Sequence, residues 1–401
     1  PALARGAAFL DGPGGSQAPE EVIAAIGDHL RRGTANDGGV FATSRETIAL
    51  IAEARGAAAR LTGSAPEEIA FGANMTTLNF LLAHAVARTL APGDEIVVTQ
   101  LDHDANVAPW LRVAEDPGLV VRVAPVRPQA ATLDVDALED LLGERTRVVA
   151  FTLASNAVGS LTDAPRIAAA AHRVGALAWA DAVHYAPHRR PDRAALGLDV
   201  LLCSPYKFFG PHLGLAAIRR DLAESWPADR VRPASEDPPG HRFETGTPSF
   251  EALAGMVAAI GYIASLGDGD LDVAYARIRE HEEVLSAQVL DGLSGIEGVT
   301  LHGVTDAAAR TPTFCFTVDG VTPRAVAEQL AERDVYTWDG NYYALALMEA
   351  LGLEEHGGAV RAGFLHYNTA AEAARLCEAV EEIARAGRGA ARVPRRDEAP
   401  A

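Results

Sequence analysis

The sequence predicts an α/β fold in which a mainly parallel, doubly wound sheet is followed by a smaller α+β domain. Three observations support this class. Apolar runs of strand length alternate with amphipathic helical stretches through the first two-thirds of the chain, as expected for a parallel sheet covered on both faces. Polar side chains stand directly after several of these runs. After Ser249 the alternation gives way to a long helical stretch and more widely spaced strands.

Apolar runs mark the strands of the first domain, and amphipathic stretches between them mark its helices. The predicted strands span residues 95–99, 120–126, 147–152, 177–180, 200–203 and 213–218. Predicted helices include residues 78–88, 135–142 and 165–174.

The pattern of helices and strands after Ser249 predicts a separate, smaller domain. A long helical stretch over residues 251–290 precedes strands near Thr300 and over residues 313–318 and 360–365. We therefore expect a large domain over residues 30–262 and a small domain formed by residues 1–29 and 263–401. A Pro-rich loop is expected over residues 233–240, and the composition after about residue 387 predicts a disordered tail.

Charge and cysteine usage narrow the range of partners. The formal net charge of -19 argues against nucleic acid and acidic membrane surfaces, which are bound by clustered basic side chains. Apolar stretches stay short of the roughly 18 residues that a membrane-spanning helix needs. Cys203, Cys315 and Cys377 show neither metal-ligand nor disulfide spacing, which is typical of small buried residues in a reducing compartment. We expect a cytoplasmic protein that binds no metal.

Lys207 is the only lysine in a sequence that otherwise uses arginine for positive charge. A guanidinium stays protonated, whereas a lysine amine in a suitable pocket loses its proton and can condense with an aldehyde. Asp181 ends the strand before the one that leads to Lys207, so both leave the same sheet edge. Pyridoxal 5'-phosphate (PLP) requires such a pair, because the amine forms an imine and the acid faces the pyridine nitrogen. Taken alone, Asp181 is better explained as a helix cap or turn residue, and the alternative for Lys207 is a lysine that remains on the surface by chance.

Further polar groups stand at neighbouring strand ends and at one helix start. Thr76 and Thr77 precede an apolar helix, where free N–H groups and the positive end of the helix dipole attract a phosphate. They also suit an ordinary cap. His103 could stack on a planar ring, and Asn156 could bind a cofactor or substrate oxygen. A turn or core role is the alternative for both.

Together these motifs resemble the class V aminotransferase family of fold-type I PLP enzymes, and in particular the cysteine desulfurases. The resemblance extends from FLDGPGGSQAP at residues 9–19 to VRAGFLHYNT at residues 360–369. It is most specific in LDHDANVAPW at 101–110, ASNAVGS at 154–160, WADAVHYAPH at 179–188, CSPYKFFGPHLG at 203–214 and RFETGTPSFE at 242–251. It implies the fold-type I PLP-transferase architecture, with a large doubly wound domain and a smaller α+β domain.

The resemblance also implies roles for individual residues at the ring of the cofactor. Lys207 matches the imine-forming lysine, Asp181 the partner of the pyridine nitrogen, and His103 the imidazole stacked on the ring. These three are the expected catalytic residues. Asn156 matches a residue near the ring hydroxyl and the substrate carboxylate, and His184 stands where desulfurases usually have glutamine beside the ring oxygen.

Phosphate and substrate ligands follow from the same resemblance. Thr76, Thr77 and Ser204 match phosphate ligands, and Tyr206 replaces the histidine that commonly precedes the lysine. Thr247 matches a phosphate ligand donated by the other subunit of a homodimer. The residues expected around an amino-acid substrate are Arg361, which matches the arginine that grips the carboxylate, together with Asn156, Tyr343, Asn341 and Arg45.

One departure from the family concerns sulfur chemistry. A typical desulfurase has its persulfide-forming cysteine in the loop that WDGNYYALALME at residues 338–349 resembles, and Tyr343 stands at that position. No cysteine lies nearby in sequence. We therefore expect a PLP-dependent lyase or transferase that cleaves the C–S bond of L-cysteine or a related β-substituted amino acid without an enzyme persulfide. The alternatives are an amino-acid epimerase, an aminotransferase, or a cofactor-binding scaffold without turnover.

Overall fold

The fold is that of a computed structural model, which describes residues 1–115 and 118–391. Its helices are α1 (Glu20–Arg32), α2 (Ala42–Thr62), α3 (Met75–Ala87), α4 (Ala108–Ala114), α5 (Val135–Asp140), α6 (Ala164–Arg173), α7 (Arg220–Ser225), α8 (Phe250–Ser265), α9 (Leu271–Ser294), α10 (Pro323–Ala331), α11 (Leu345–Ala350) and α12 (Ala370–Ala391). Its strands are β1 (Ala8–Phe9), β2 (Ile69–Gly72), β3 (Glu95–Thr99), β4 (Val120–Ala124), β5 (Val126–Arg127), β6 (Thr132–Leu133), β7 (Thr146–Thr152), β8 (Leu177–Asp181), β9 (Val200–Cys203), β10 (Gly214–Ile218), β11 (Val299–His302), β12 (Thr313–Val318), β13 (Val335–Tyr336), β14 (Trp338–Gly340) and β15 (Ala359–Gly363).

The large sheet contains seven strands in the order β2-β10-β9-β8-β7-β3-β4. Strand β10 runs antiparallel to both of its neighbours, and the remaining pairs are parallel. The parallel strands therefore end at one common edge of the sheet, where open α/β folds bind their ligands. This confirms the predicted mainly parallel sheet.

Side chains of the large sheet alternate between two separate cores, one on each face. Val149, Phe151 and Ala178 belong to the core that α2, α6 and α8 cover. Their neighbours Ala150 and Trp179 point to the other core, which α3 and α4 cover. Because both faces are buried, the strands read as continuous apolar runs rather than as alternating patterns.

The smaller of the two main sheets has four antiparallel strands, in the order β11-β12-β15-β14. It packs on α9 and α12 through a third core that includes Leu285, Phe316 and Val360. Strand β1 pairs in parallel with β13, which ties the first residues of the chain to this part of the molecule. The domain boundaries at residues 30 and 262 stay a prediction.

The long helical stretch predicted over residues 251–290 consists of two helices. It is divided into α8 and α9 by a turn in which Asp268 and Gly269 have φ of 57° and 98°. Asp270 begins α9 by accepting hydrogen bonds from the N–H groups of Asp272 and Val273. The predicted strand over residues 120–126 is likewise divided after Ala124 into β4 and β5.

The C-terminal helix α12 continues to Ala391, four residues past the point where the disordered tail was predicted to begin. The rest of that predicted tail lies outside the described residues. Across residues 1–115 and 118–391, no helix combines the length and apolarity that crossing a bilayer requires.

Candidate active site

A cavity of about 1200 Å³ opens at the carboxyl edge of the large sheet. It is where most of the predicted site residues meet. Those lining it are Thr76, Thr77, His103, Asn156, Asp181, His184, Ser204, Tyr206, Lys207, Asn341, Tyr343 and Arg361. Arg45 and Thr247 do not line it. Both are exposed, and the Arg45 guanidinium donates to the carbonyl of Val40 instead.

Lys207 stands in the short turn Pro205–Lys207 that follows β9. Its ammonium donates to the carbonyl oxygen of Pro13 and lies 4.9 Å from the centre of the Tyr206 ring. Burial, together with the nearby charge of Arg361, lowers the pKa of Lys207 to about 7. A substantial fraction of this amine is therefore neutral, and nucleophilic, at neutral pH.

Asp181 ends the adjacent strand β8 and is only 4% exposed. Burial raises the pKa of Asp181 to about 6, although the N–H of Val183 donates to its carboxylate at 2.8 Å and Lys207 lies close enough to favour the charged form. Below the same edge, burial raises the pKa of Asp102 to about 7, with Asn106 Nδ2 donating to it at 2.8 Å. Asp102 belongs to the LDHDANVAPW motif, and the sequence assigned it no role.

His103 follows β3, and its ring is oriented by the backbone. Its Nδ1 accepts from the N–H of Ala105 at 3.0 Å, which caps a short helical turn. Burial lowers the pKa of His103 to about 4, so the ring is uncharged at neutral pH. The Tyr343 ring lies 5.5 Å from it, centre to centre, at an angle of 34°.

The start of α3 forms one end of the cavity. Asn74 caps the helix by accepting from the N–H of Thr77 at 2.8 Å and from its hydroxyl at 3.0 Å. Ser204 Oγ accepts from the N–H of Met75 at 3.0 Å, which joins the helix start to the end of β9. Thr76 and Thr77 are exposed in this cavity. Hydroxyls beside the N-terminus of a 13-residue helix suit a phosphate group.

Gly214 allows this helix to approach the sheet so closely. A β-carbon at Gly214 would lie 2.5 Å from the backbone carbon and oxygen of Asn74. A larger residue would therefore displace the start of α3 from the sheet edge.

Arg361 on β15 faces the sheet edge from the second sheet and is 5% exposed. Its Nη1 donates to the carbonyl of Asn156 at 3.0 Å, and its guanidinium lies 4.4 Å from the centre of the Tyr342 ring. Its Nε, and Oδ1 of Asn156, are buried without a hydrogen-bond partner among the described residues. Such unpaired groups are costly unless a ligand completes them.

His184 lies deeper in the cavity wall. Its Nε2 is 3.1 Å from the hydroxyls of both Thr311 and Thr313. Burial, together with the neighbouring His188, holds the pKa of His184 well below its usual value. The imidazole is therefore neutral where the resemblance places it beside the ring oxygen.

A segment from β14 to residue 354 lines one side of the cavity, which we call its mouth. Tyr342 and Tyr343 both have positive φ, 56° and 57°, which few side chains other than glycine adopt. Asn341 Nδ2 donates to Glu354 Oε1 at 3.0 Å, and the carbonyl of Tyr343 accepts from the N–H of Asp104 at 2.7 Å. The first bond joins the two ends of the segment, and the second attaches it to the residues that follow β3.

Two acidic residues near the site were missed from the sequence. Glu354 lines the cavity, and Asp11 lies close to both Lys207 and Arg361, with burial raising the pKa of Asp11. Asp11 belongs to the FLDGPGG motif, so its position in a motif was the available signal. Glu354 belongs to the polar stretch EEH, which matches no motif, so the sequence contained no signal for its position in the cavity.

The three cysteines all lie outside the cavity lining. Cys203 and Cys315 are fully buried, and Cys377 is partly buried on α12. Burial raises the pKa of Cys315 to about 12 and that of Cys377 to about 11, and it raises the pKa of Cys203 still further. All three therefore stay protonated and weakly nucleophilic at neutral pH.

Comparisons with known proteins agree with this geometry. The family model for class V aminotransferases matches residues 8–376. The chain is similar to an aminotransferase-like protein of Gibberella zeae, with 31% identity over 404 residues that cover 96% of each chain. It is also similar to a probable cysteine desulfurase of Pseudomonas aeruginosa, with 31% identity over 391 residues that cover 94% of each chain.

Among solved structures, the apo structure of a cysteine desulfurase from Thermococcus onnurineus NA1 matches with a TM-score of 0.88 at 27% identity, over 96% of each chain. The fold and the site thus define a PLP-dependent enzyme of fold type I. The chain belongs to the class V aminotransferase family and to its cysteine desulfurase-like class.

PLP is the cofactor of this class, and the residues present fit it. The cavity lining combines hydroxyls at a helix start for a phosphate, a buried carboxylate at a strand end and a lysine amine. The unpaired Nε of Arg361 and Oδ1 of Asn156 are what a ligand in this cavity would complete.

Proposed function

We propose that this enzyme cleaves the C–S bond at the β-carbon of L-cysteine or a related β-substituted amino acid without forming a persulfide on the protein. The observation that carries the proposal is a single cavity that combines Lys207, Asp181 and Arg361 and whose lining, among the described residues, contains no cysteine. The balanced reaction is β-elimination, in which L-cysteine and water give pyruvate, ammonia and hydrogen sulfide. It needs neither an oxidant nor a sulfur acceptor.

In this proposal the strand ends hold the cofactor. Thr76, Thr77 and Ser204 would bind the phosphate, and Asp181 would face the pyridine nitrogen. With its pKa near 6, Asp181 is largely ionised at neutral pH and favours a protonated ring nitrogen. When bound, PLP supplies an electron-poor ring that stabilises the negative charge left on the substrate α-carbon after its proton departs. The neutral imidazole of His103 would lie against that ring.

Lys207 is the group that moves protons. Because its pKa lies near 7, the amine freed by an incoming substrate is a competent base at neutral pH. It takes the proton from the α-carbon and carries it on Nζ. It then delivers that proton to the departing sulfur, which leaves as a neutral thiol rather than as an anion.

Arg361 and Asn156 orient the substrate and the ring. The unpaired Nε of Arg361 adds a donor for the substrate carboxylate, which a guanidinium binds in two-pronged geometry. Asn156 donates its amide hydrogen to the carbonyl of Tyr342 at 2.9 Å, so its free atom is the acceptor Oδ1. This acceptor suits a donor such as the ring hydroxyl better than it suits a carboxylate.

The test is product analysis with the purified PLP-loaded enzyme and L-cysteine. We expect one sulfide and one pyruvate per turnover with no added thiol, and no sulfur retained on the protein. Stoichiometric alanine with sulfur bound to the enzyme would contradict the proposal. So would solvent deuterium entering cysteine without sulfide, which indicates an epimerase, or product formation that depends on a keto acid, which indicates an aminotransferase.

We further propose a homodimer in which Thr247 is donated to the partner's site. Thr247 is exposed and does not line the cavity of its own chain, which supports this arrangement. A mixed dimer of Lys207→Ala and Thr247→Ala chains would contain one complete site, because the chain that keeps Lys207 receives an intact Thr247 from its partner. We expect mixing to raise activity well above that of either parent variant. Unchanged activity in a verified mixed dimer would contradict the donation.

A further inference from the structure

Glu354 lines the same cavity as Lys207 and Arg361 but has no part in the chemistry proposed above. Its Oε1 accepts from Asn341 Nδ2 at 3.0 Å. Its Oε2 is buried and has no hydrogen-bond partner among the described residues. A buried carboxylate oxygen without a donor costs free energy, and that cost is relieved when a ligand supplies one.

The other carboxylates of the cavity lining are already engaged. Asp181 lies at the sheet edge, where it interacts with Lys207 and accepts from the N–H of Val183. Asp339 pairs with Arg324 Nη1 at 3.3 Å. Within the described part of the chain, Glu354 is left as the cavity carboxylate that has an unmatched acceptor and no ion pair.

The surroundings of the mouth favour a cation over an anion. Trp338 and Tyr343 line it and are 51% and 72% exposed, so their rings are available to a ligand. The faces of such rings attract ammonium groups. Since Arg361 serves the α-carboxylate in the proposed function, a second anionic group on the substrate would meet Glu354 without a compensating cation.

We infer that Glu354 is a specificity-determining residue that binds an amine at the end of the substrate side chain. The substrate class is then a β-substituted amino acid, such as a cysteine S-conjugate, whose sulfur substituent carries a positive charge. The leaving group in this inference rests on the proposed function, whereas the charge preference rests on Glu354 alone. A cavity of about 1200 Å³ has room for such a substituent beyond the cofactor.

The first test measures binding without any cleavable bond. The PLP-loaded enzyme is titrated calorimetrically with L-ornithine, L-norvaline and L-glutamate, whose side chains are cationic, neutral and anionic. We expect ornithine to bind at least about tenfold more tightly than norvaline, which corresponds to about 1.4 kcal/mol, and glutamate to bind most weakly. Equal dissociation constants for the three ligands would overturn the inference.

Two variants assign the preference to Glu354. Glu354→Gln keeps the size and the hydrogen bond to Asn341 but removes the charge, and we expect the ornithine preference to fall to less than about twofold. Glu355→Gln is the matched control, because Glu355 is the exposed next residue and does not line the cavity. It should retain the full preference. A preference that survives in Glu354→Gln would assign it to another residue.

Cleavage separates this inference from the proposed function. S-aminoethyl-L-cysteine and S-propyl-L-cysteine each take up one water and would give pyruvate, ammonia and a thiol. We expect kcat/KM for the aminoethyl conjugate to be at least about tenfold higher. Equal cleavage of both would refute the role of Glu354 and leave the proposed function standing. Preferential binding of ornithine with no cleavage of either conjugate or of L-cysteine would refute the proposed function instead.

Discussion

The two walls of the cavity are built by different means. On one wall, Asp181 ends β8 and Lys207 follows β9, and these two paired strands are buried on both faces of the sheet. On the other wall, Tyr342 and Tyr343 adopt positive φ and are held in place by hydrogen bonds to Asn156 and Asp104. The first wall is positioned by strand register, whereas the second depends on a few polar contacts in a loop.

This difference indicates how chemistry and substrate choice are divided in the molecule. A register set by main-chain hydrogen bonds between strands tolerates little displacement, which suits groups that act on the reacting atoms. A loop held by side-chain hydrogen bonds can change without altering the sheet. The wall that includes Tyr343 lies where the resemblance places the persulfide cysteine of typical desulfurases. Substitutions on the two walls should therefore have effects of different kind and size.

The largest effect is expected at the sheet edge. Lys207→Ala should lower kcat by at least about 10⁴-fold, since it removes both the covalent attachment and the proton-transferring amine. Steady-state turnover and the absorbance of the bound cofactor measure it. Lys207→Arg is the control for charge, because it keeps a cation that cannot condense with an aldehyde. Substantial activity in either variant would refute the assignment of Lys207.

A smaller effect is expected where the two walls meet. Arg361→Gln should raise KM by about 10- to 100-fold and change kcat less, because it removes a charge-assisted interaction with the substrate carboxylate. Initial-rate kinetics over a wide substrate range separate the two constants. Arg112→Gln is a surface control, since the exposed Arg112 on α4 pairs with the exposed Glu115 and does not line the cavity. An unchanged KM in Arg361→Gln would move carboxylate binding to another residue.

The sequence was sufficient to predict the sheet-edge wall. The strand over residues 200–203 and the strand beginning at residue 177 were predicted close to their observed bounds, because a sheet buried on both faces demands continuous apolar runs. The position of Asp181 and Lys207 at a common edge then follows from parallel pairing alone. The single lysine drew attention to the site because arginine had replaced lysine elsewhere.

The conformation of the segment that forms the mouth could not be predicted from apolar runs. The positive φ of Tyr342 and Tyr343 contradicts their intrinsic preferences and arises from contacts far apart in sequence, such as Asn156 with Tyr342. The unpaired oxygen of Glu354 likewise becomes visible only when the fold buries it. Arg45 was placed near the substrate from the sequence, yet in this chain it lies exposed beside Val40. Arg45 lies in the first turn of α2, and the sequence of a helix start does not show which distant residues its side chain will contact.

The pH dependence of cofactor binding tests the environment of the sheet edge. Burial lowers the pKa of Lys207 from 10.5 to about 7, so below pH 7 the amine is increasingly protonated and loses its lone pair. The rate at which cofactor-free protein takes up PLP should fall about tenfold per pH unit below pH 7 and level off above it. Stopped-flow absorbance measures this rate. Arg361→Gln removes a neighbouring cation and should move the break to higher pH, whereas a break above pH 9 in the wild type would contradict the buried site.

The smallest effect is expected from backbone strain at the mouth. Tyr343 has φ of 57°, where a β-carbon is unfavourable and glycine is not penalised. Tyr343→Gly should therefore exceed Tyr343→Ala in free energy of unfolding by about 0.5–1 kcal/mol, as measured by denaturant titration. The same pair at Val284, an exposed position inside α9, should show the opposite sign, because alanine favours a helix interior over glycine. If alanine were the more stable residue at both positions, the loop would not hold the left-handed conformation that separates this wall from the sheet edge.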